Sequence, residues 1–492
     1  MGPEMRMPLL RLFLLAALAT TAACHGKSEG VVQVRVIGAD PKLADPAKGP
    51  LGSGDAVLID NAAQGLVRFD ARGQIEPGLA ETWNVSDDGL SYIFRLANGN
   101  WPNGRKISAQ QIARMLRRSI APSSRNELKD TFGAVDEIVA MTDRVIEIRL
   151  RQPRPHLLQL LAQPEMGLVY EGFGTGPFSV APAREKSVIR LKRAITAIDE
   201  EKPEREQLDL GGSTAEKAVS AFRAGQVDLV LGGTFADLPI ARAANLPRRA
   251  LQFDPASGLF GLIPARASGP ASDPEVRQLL SAAIDRDSLV ASTAVPGLVP
   301  RATVLEPGIE SYPDPVPPGW AATPIADRRP ALAETAKRLF AGKEQPKIQV
   351  ALPDGPGADI LFRRLSQDWG ALGIGVERVG MEETADFKLV DQVAPSVAAA
   401  WFLRHFHCGH SPVCDEKIDE LLDAARETPV PAQRIALFSE ASKEIDALQL
   451  FVPLAAPIRW SLVAPRITGF SGNRFAIHTL TGLEERLDRT GE

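Results

Sequence analysis

Between Gln64 and Ile112 the apolar positions change period several times, and each change marks an element. Gly65 to Phe69 alternates apolar and polar residues, the two-residue period of a half-buried strand. Asp70 to Gln74 supplies turn chemistry around Gly73. Leu79 to Trp83, after Pro77, reads as an apolar helical turn, and Leu90 to Leu96 alternates again as a strand behind the punctuation of Ser86 to Gly89. The turn at Trp101 to Gly104 leads to Ser108, whose hydroxyl can cap a helix carrying Ile112 and Met115.

The same reading extends along the chain. Val31 to Ile37 predicts an edge-setting strand, closed by the turns at Asp40-Pro41 and Asp45-Pro46. Val276, Leu279, Leu280 and Ala283 fall on one helical face; so do Ile418, Leu421, Leu422 and Ala425, and Leu437, Phe438, Ala441, Ile445 and Leu448. Strands at Ile348 to Leu352 and Ile374 to Val379 flank a helix holding Leu361, Leu365 and Trp369, a βαβ pattern. Pro307 to Pro324 lacks periodicity and is expected at the surface. The fold class is α/β, mixed with α+β parts. At 492 residues, two or three domains are needed.

Gln64 to Ile112 resembles, over most of its length, a characteristic stretch of bacterial extracytoplasmic solute-binding proteins of the peptide/nickel class, family 5. Further segments resemble that family in the same order: Gly174 to Phe178 with Ile189 to Leu191, Ala224 to Asp228, Asp273 to Arg277 with Ala282 to Arg286, Leu372 to Val376, and Ile418 to Ala425. The resemblance implies a two-lobed periplasmic-binding-protein fold, class II-like, joined by two crossing segments and enlarged by an inserted subdomain. It places the first lobe at 30–57, 174–255 and 452–492, the insertion at 58–173 and the second lobe at 256–451.

Composition narrows the setting. The net charge of -5, without a basic run, gives no footprint for nucleic acid. Arg6 and Arg11 precede the apolar run Leu12 to Ala23, which is too short to span a bilayer. Residues 1–23 read as a signal peptide and 24–29 as a linker. Thr21-Ala22-Ala23 before Cys24 resembles a bacterial lipobox, which makes Cys24 the expected lipidation site; the alternative is an ordinary cleaved signal. A periplasmic or envelope location with a lipid anchor follows from that expectation.

Two constellations carry candidate chemistry. His405, His407, Cys408, His410 and Cys414 crowd one loop, with three of the six histidines of the chain. Cys408 and Cys414 are expected to pair as a disulfide in an oxidising envelope; the alternative is a metal site built from these five side chains. The second is the segment in which family members close on ligand, here Asp391 to Pro395, read as a loop. By resemblance it faces Gly38 and Ala39, so Gly38, Ala39, Asp391, Gln392 and Ala394 are the candidate ligand-binding residues. A carboxylate enclosed there needs a cation to meet it. Ala394 stands about where the family carries an aspartate, a departure that bears on peptide specificity. Trp401 and Phe402 read as core.

Zinc-protease, redox CxxC, nucleophile-elbow and complete phosphate-loop signatures are absent, and Gly172 to Gly176 fails as a dinucleotide loop because its third glycine falls one place early. The expectation is therefore a monomeric substrate-binding protein rather than an enzyme. It captures a small solute, foremost an oligopeptide, with no cofactor, and delivers it to ABC permease subunits driven by their ATPase. A carrier of a metal chelate or haem-like ligand is the alternative within the fold. A metal-dependent envelope hydrolase is the alternative of another class.

Overall fold

The computed structural model describes residues 31–183, 187–195, 204–309, 312–342 and 346–485; the expected signal peptide, Cys24 and the linker lie outside them. Val31–Ile37 alternates half-buried and buried residues and pairs in parallel with Glu204–Ser213 on one side and Leu229–Thr234 on the other. It is therefore an interior strand, not the edge expected. Apolar Val32, Val34 and Val36 fill one face, and neighbours on both sides take up its backbone groups. Outward on one flank run Val188–Ile195 and Ser179–Pro182, and on the other Arg459–Val463 and Leu251–Phe253, making a seven-stranded sheet.

The second sheet has five strands, in the order Gly375–Val379, Lys347–Ala351, Phe387–Val393, Gly258–Pro264 and Val452–Ala455. Its outer pair is the expected βαβ unit: Lys347–Ala351 and Gly375–Val379 are parallel and joined by the helix Pro356–Gly370. Trp369 of that helix is fully buried, and its indole donates to the Leu280 carbonyl at 2.9 Å. Because Val452–Ala455 still belongs to this sheet, the chain re-enters the first sheet at Arg459 rather than at 452. The two crossings are thus 254–257 and 456–458.

A third, four-stranded antiparallel sheet lies within 58–173, in the order Ala80–Val85, Ser91–Leu96, Val145–Leu150 and Val135–Ala140. The turn of helix expected at Leu79 to Trp83 is strand, paired antiparallel with Ser91–Leu96. So short an apolar run carries no period of its own, and its neighbour decides. Ser108 does cap the helix Ala109–Ile120, accepting from the Gln111 amide.

Several of the recurring phrases turn out to be structural ties. Arg277, 3% exposed, donates to the carbonyls of Ala271, Ser272, Leu448 and Gln449, holding the helix Pro274–Ala283 to the end of Pro431–Ala447. Arg286 donates to the Pro453 and Ser281 carbonyls and lies over the Trp320 ring. Gly174 and Gly176 pass against the end of the helix Ser53–Ala62, where a Cβ on Gly174 would stand 2.3 Å from the Ala62 carbonyl oxygen. A side chain has no room there. Among the described residues no helix is long and apolar enough to cross a membrane.

Candidate ligand-binding cleft

The strand Phe387–Val393 runs through Asp391, so the stretch expected as a loop is strand up to Val393 and becomes a connection only at Ala394. Pairing with Gly258–Pro264 along its whole length imposes this: Phe260 opposes Asp391, and Ala394 donates to the Ser257 carbonyl at 2.8 Å. From Ala394 the chain passes through buried Pro395 and Ser396 into the short helix Ala399–Leu403. Here it meets the insertion. Gln163, 6% exposed, donates its side-chain amide to the Pro395 carbonyl at 2.7 Å, and Val397 donates to Gln159 Oε1 at 3.2 Å. A second set of contacts closes the same junction farther out: Arg434 donates to the Pro153 carbonyl at 3.1 Å and Arg154 to the Arg426 carbonyl at 3.3 Å.

Between these two sets lies a cavity of about 400 Å³. Leu157 and Leu160 of the insertion and Tyr312, Trp401, Leu422 and Phe438 of the second lobe give it apolar walls. Asp130, His156, Arg404 and His407 bring polar groups to it, and Ser396 stands on its wall with a buried hydroxyl that has no hydrogen-bond partner among the described residues. Asp130 and Arg404 also line a neighbouring cavity of about 260 Å³, together with Gln392, His405 and His410. The Nε2 of His405 is shielded from solvent and has no hydrogen-bond partner among the described residues. Burial, and then the charge of Arg404, push its pKa down to about 3, so the ring is neutral. A partly enclosed, mostly apolar concavity with a few convergent polar groups is the form of a small-molecule site.

The candidate residues separate. Gln392 reaches the second cavity, His405 and His410 line it as well, and His407 lines the first. Ala394 is core at 1% exposure. Asp391 does not wait for a ligand cation: Arg459 donates to its Oδ1 at 2.8 Å, and although burial raises the carboxyl's pKa, that guanidinium opposes the rise. Gly38 and Ala39 are exposed at the end of the central strand, with the Gly38 amide bonded to the Ser213 carbonyl. Cys408 and Cys414 are joined, Cα atoms 5.1 Å apart. Among the described residues no group of three or more His, Cys, Asp or Glu is placed to hold an ion. Trp401 is both core and cavity wall, packed edge-on against Phe402.

The sequence reading missed Arg404, Ser396, Asp130, His156 and the two glutamines that fasten the junction. Arg404 had a signal: it follows the apolar run Val397 to Leu403 directly, and a cation abutting a helical turn buried at Ala399, Trp401, Phe402 and Leu403 belongs beside the core.

Two sheet-based lobes joined by paired crossings, with an insertion closing over a cavity, define a two-lobed periplasmic binding protein. Residues 74–404 match the family described as bacterial extracellular solute-binding proteins, family 5 Middle, and the chain belongs to that family. It is similar to the probable di/tripeptide-binding protein 5 of Pseudomonas aeruginosa, 25% identical with 96% of this chain and 98% of that one covered. It is also similar to heme-binding protein A of Haemophilus influenzae, 22% identical with 96% and 98% covered. Among solved structures, Haemophilus influenzae OppA in complex with RPPGFSPFR superposes with a TM-score of 0.78 at 16% identity, covering 93% of this chain and 99% of that one. The family is one of solute-binding proteins of ABC importers, and its members are periplasmic.

Proposed function

We propose that this chain captures a peptide-sized organic solute, foremost an oligopeptide, in the cavity between insertion and second lobe, and presents the closed form to an ABC permease. The carrying observation is the buried Ser396 hydroxyl, left without a partner on the wall of a cavity that the Gln163 and Gln159 bonds close. An orphaned buried hydroxyl costs free energy unless a ligand or water meets it. The names of relatives that bind di- or tripeptides and an oligopeptide support the solute class. The lobes and insertion close by rigid-body motion about the crossings, and closure excludes water and creates a joint surface for the permease.

Calorimetry with pooled short peptides, paired with small-angle scattering, tests this: binding heat accompanied by compaction is expected. Heat without compaction, or neither, would remove the reading. Lipidation at Cys24 belongs to the same proposal. Metabolic labelling with a palmitate analogue is expected to mark the protein and to be lost in Cys24→Ala; label persisting in the variant would overturn it. A haem-like ligand is the second reading, favoured by His405 and His410 on the smaller cavity, and a shift of the haemin absorbance band on titration checks it.

A further inference from the structure

Arg404 sits where the two cavities meet and is shared by both walls. It makes no ion pair with a described residue; only Asp130, across the junction, offsets its charge through space. A guanidinium does not escape burial by losing its proton, so an enclosed one is costly until an anion or a set of acceptors meets it. The rest of the larger cavity has the same bias. Arg154, Arg426 and Arg434 join Arg404 on its wall, and among the described residues Asp130 is the one carboxylate that lines it. Arg434 is spent on the Pro153 and Thr428 carbonyls and Arg426 leans on Asp423, but their charges remain at the rim. The nearby acid that the sequence offered for a ligand cation, Asp391, is held by Arg459.

We infer that the solute carries an oxyanion, bound at Arg404, on an apolar body that lies against Leu160, Trp401 and Phe438, and that the cavity reads no ammonium group. This rests on the reading of the cavity as the solute site. Arg404 then supplies a planar, two-pronged donor suited to a carboxylate, and the unpartnered Ser396 hydroxyl and His405 Nε2 supply further hydrogen bonds from the walls of the two cavities. A free peptide amino terminus would instead face four guanidinium groups.

The test uses the mature full-length chain and two pools of dipeptides built from Leu, Phe and Val. One pool is N-acetylated with free carboxylates; the other has free amines and amidated ends. Calorimetry is expected to show the acetylated pool binding at least tenfold more tightly. Arg404→Gln is expected to erase that preference without lowering the melting temperature, since it removes a charge that has no bonded partner; a residue that merely supported the fold would lower the melting temperature instead. Equal or tighter binding of the amidated pool overturns the inference and leaves the cavity reading standing. So does mass spectrometry that finds a neutral or cationic solute retained by protein from its own host. If neither pool binds and host-purified protein retains no solute, both fall. Should Arg404→Gln fail to fold, the comparison of the two pools on the unaltered chain decides alone.

Discussion

Arg459 donates one guanidinium nitrogen to the Asp391 carboxylate at 2.8 Å and the other to the Asp391 backbone carbonyl at 3.0 Å. Asp391 belongs to a strand of the five-stranded sheet, and Arg459 is the first residue of a strand in the seven-stranded sheet, just past the second crossing. Both side chains are 17% exposed, so the pair is a largely desolvated fastening between the lobes. Asp391→Ala leaves the guanidinium without its counter-charge and is expected to cost about 2 to 4 kcal/mol of stability by urea unfolding. Removing Arg459 as well should recover part of that loss; a double variant that is no better than the sum of the singles would show that the two do not act as a pair.

Gly174 and Gly176 make a packing prediction. Their missing side chains let the connection after the insertion lie on the helix Ser53–Ala62, with backbone of Ala62 and Ala63 within 3 Å of a Cβ on Gly174 and backbone of Asn61 and Ala62 within 3 Å of one on Gly176. Backbone on both sides gives little room to relax. Gly174→Ala is expected to lower stability by about 2 kcal/mol or more, with Gly49→Ala as the comparison, since nothing lies within 4 Å of its virtual Cβ and its φ of 167° is extended backbone that alanine adopts. Equal losses in thermal melts would mean that the close approach does not matter.

The legible part of this molecule is the part whose causes are local. Ser108 capped its helix, and the helical faces around Leu279, Leu422 and Phe438 are buried as their spacing required. The βαβ unit around Trp369 was equally plain. What was not legible depended on pairing partners remote in sequence. Ala80–Val85 became a strand because Ser91–Leu96 and its neighbours offered an open edge, and Asp391 lost its apparent role because an arginine 68 positions later reaches it. The site was harder still. Its walls come from residues near 130, 156, 312, 401 and 435, and no spacing rule links Gln163 to Pro395.

The pairing of Cys408 and Cys414 ties down the loop that places His405, His407 and His410 beside the cavities. The loop closed is only six residues in separation, so on the chain-entropy estimate the bond stabilises by about 2 to 3 kcal/mol. Cys408→Ser with Cys414→Ser is expected to lose that amount in guanidinium unfolding, while reduction of the native protein should reproduce the double variant. The backbone amide of Cys408 is held by Asp419 at 3.0 Å, which limits the loosening to the outer part of the loop. Full stability in the variant, with two reactive thiols in the native protein from the envelope, would count against the bond.

Asp60 predicts how stability varies with pH. It lies on the helix Ser53–Ala62, 4% exposed, and burial pushes its pKa from 3.8 to about 7 against the pull of Arg68 and His478. Below pH 3.8 the acid is protonated in both folded and unfolded chains and contributes no difference. As pH rises from there toward 7, the unfolded chain gives up this proton while the folded chain keeps it. Stability therefore falls across that window, by up to about 1.4 kcal/mol per pH unit, and the trend ends once the folded group ionises too. Asp60→Asn mimics the neutral acid in shape and removes the titration. Relative to the native chain, the variant is expected to be more stable by about 1 kcal/mol at pH 4.5 and by about 2 to 4 kcal/mol at pH 8, the size of the shift less what Arg68 relaxation returns. Urea midpoints at the two pH values measure it; a difference between the proteins that is the same at both would show that Asp60 ionises at its ordinary pKa in the fold.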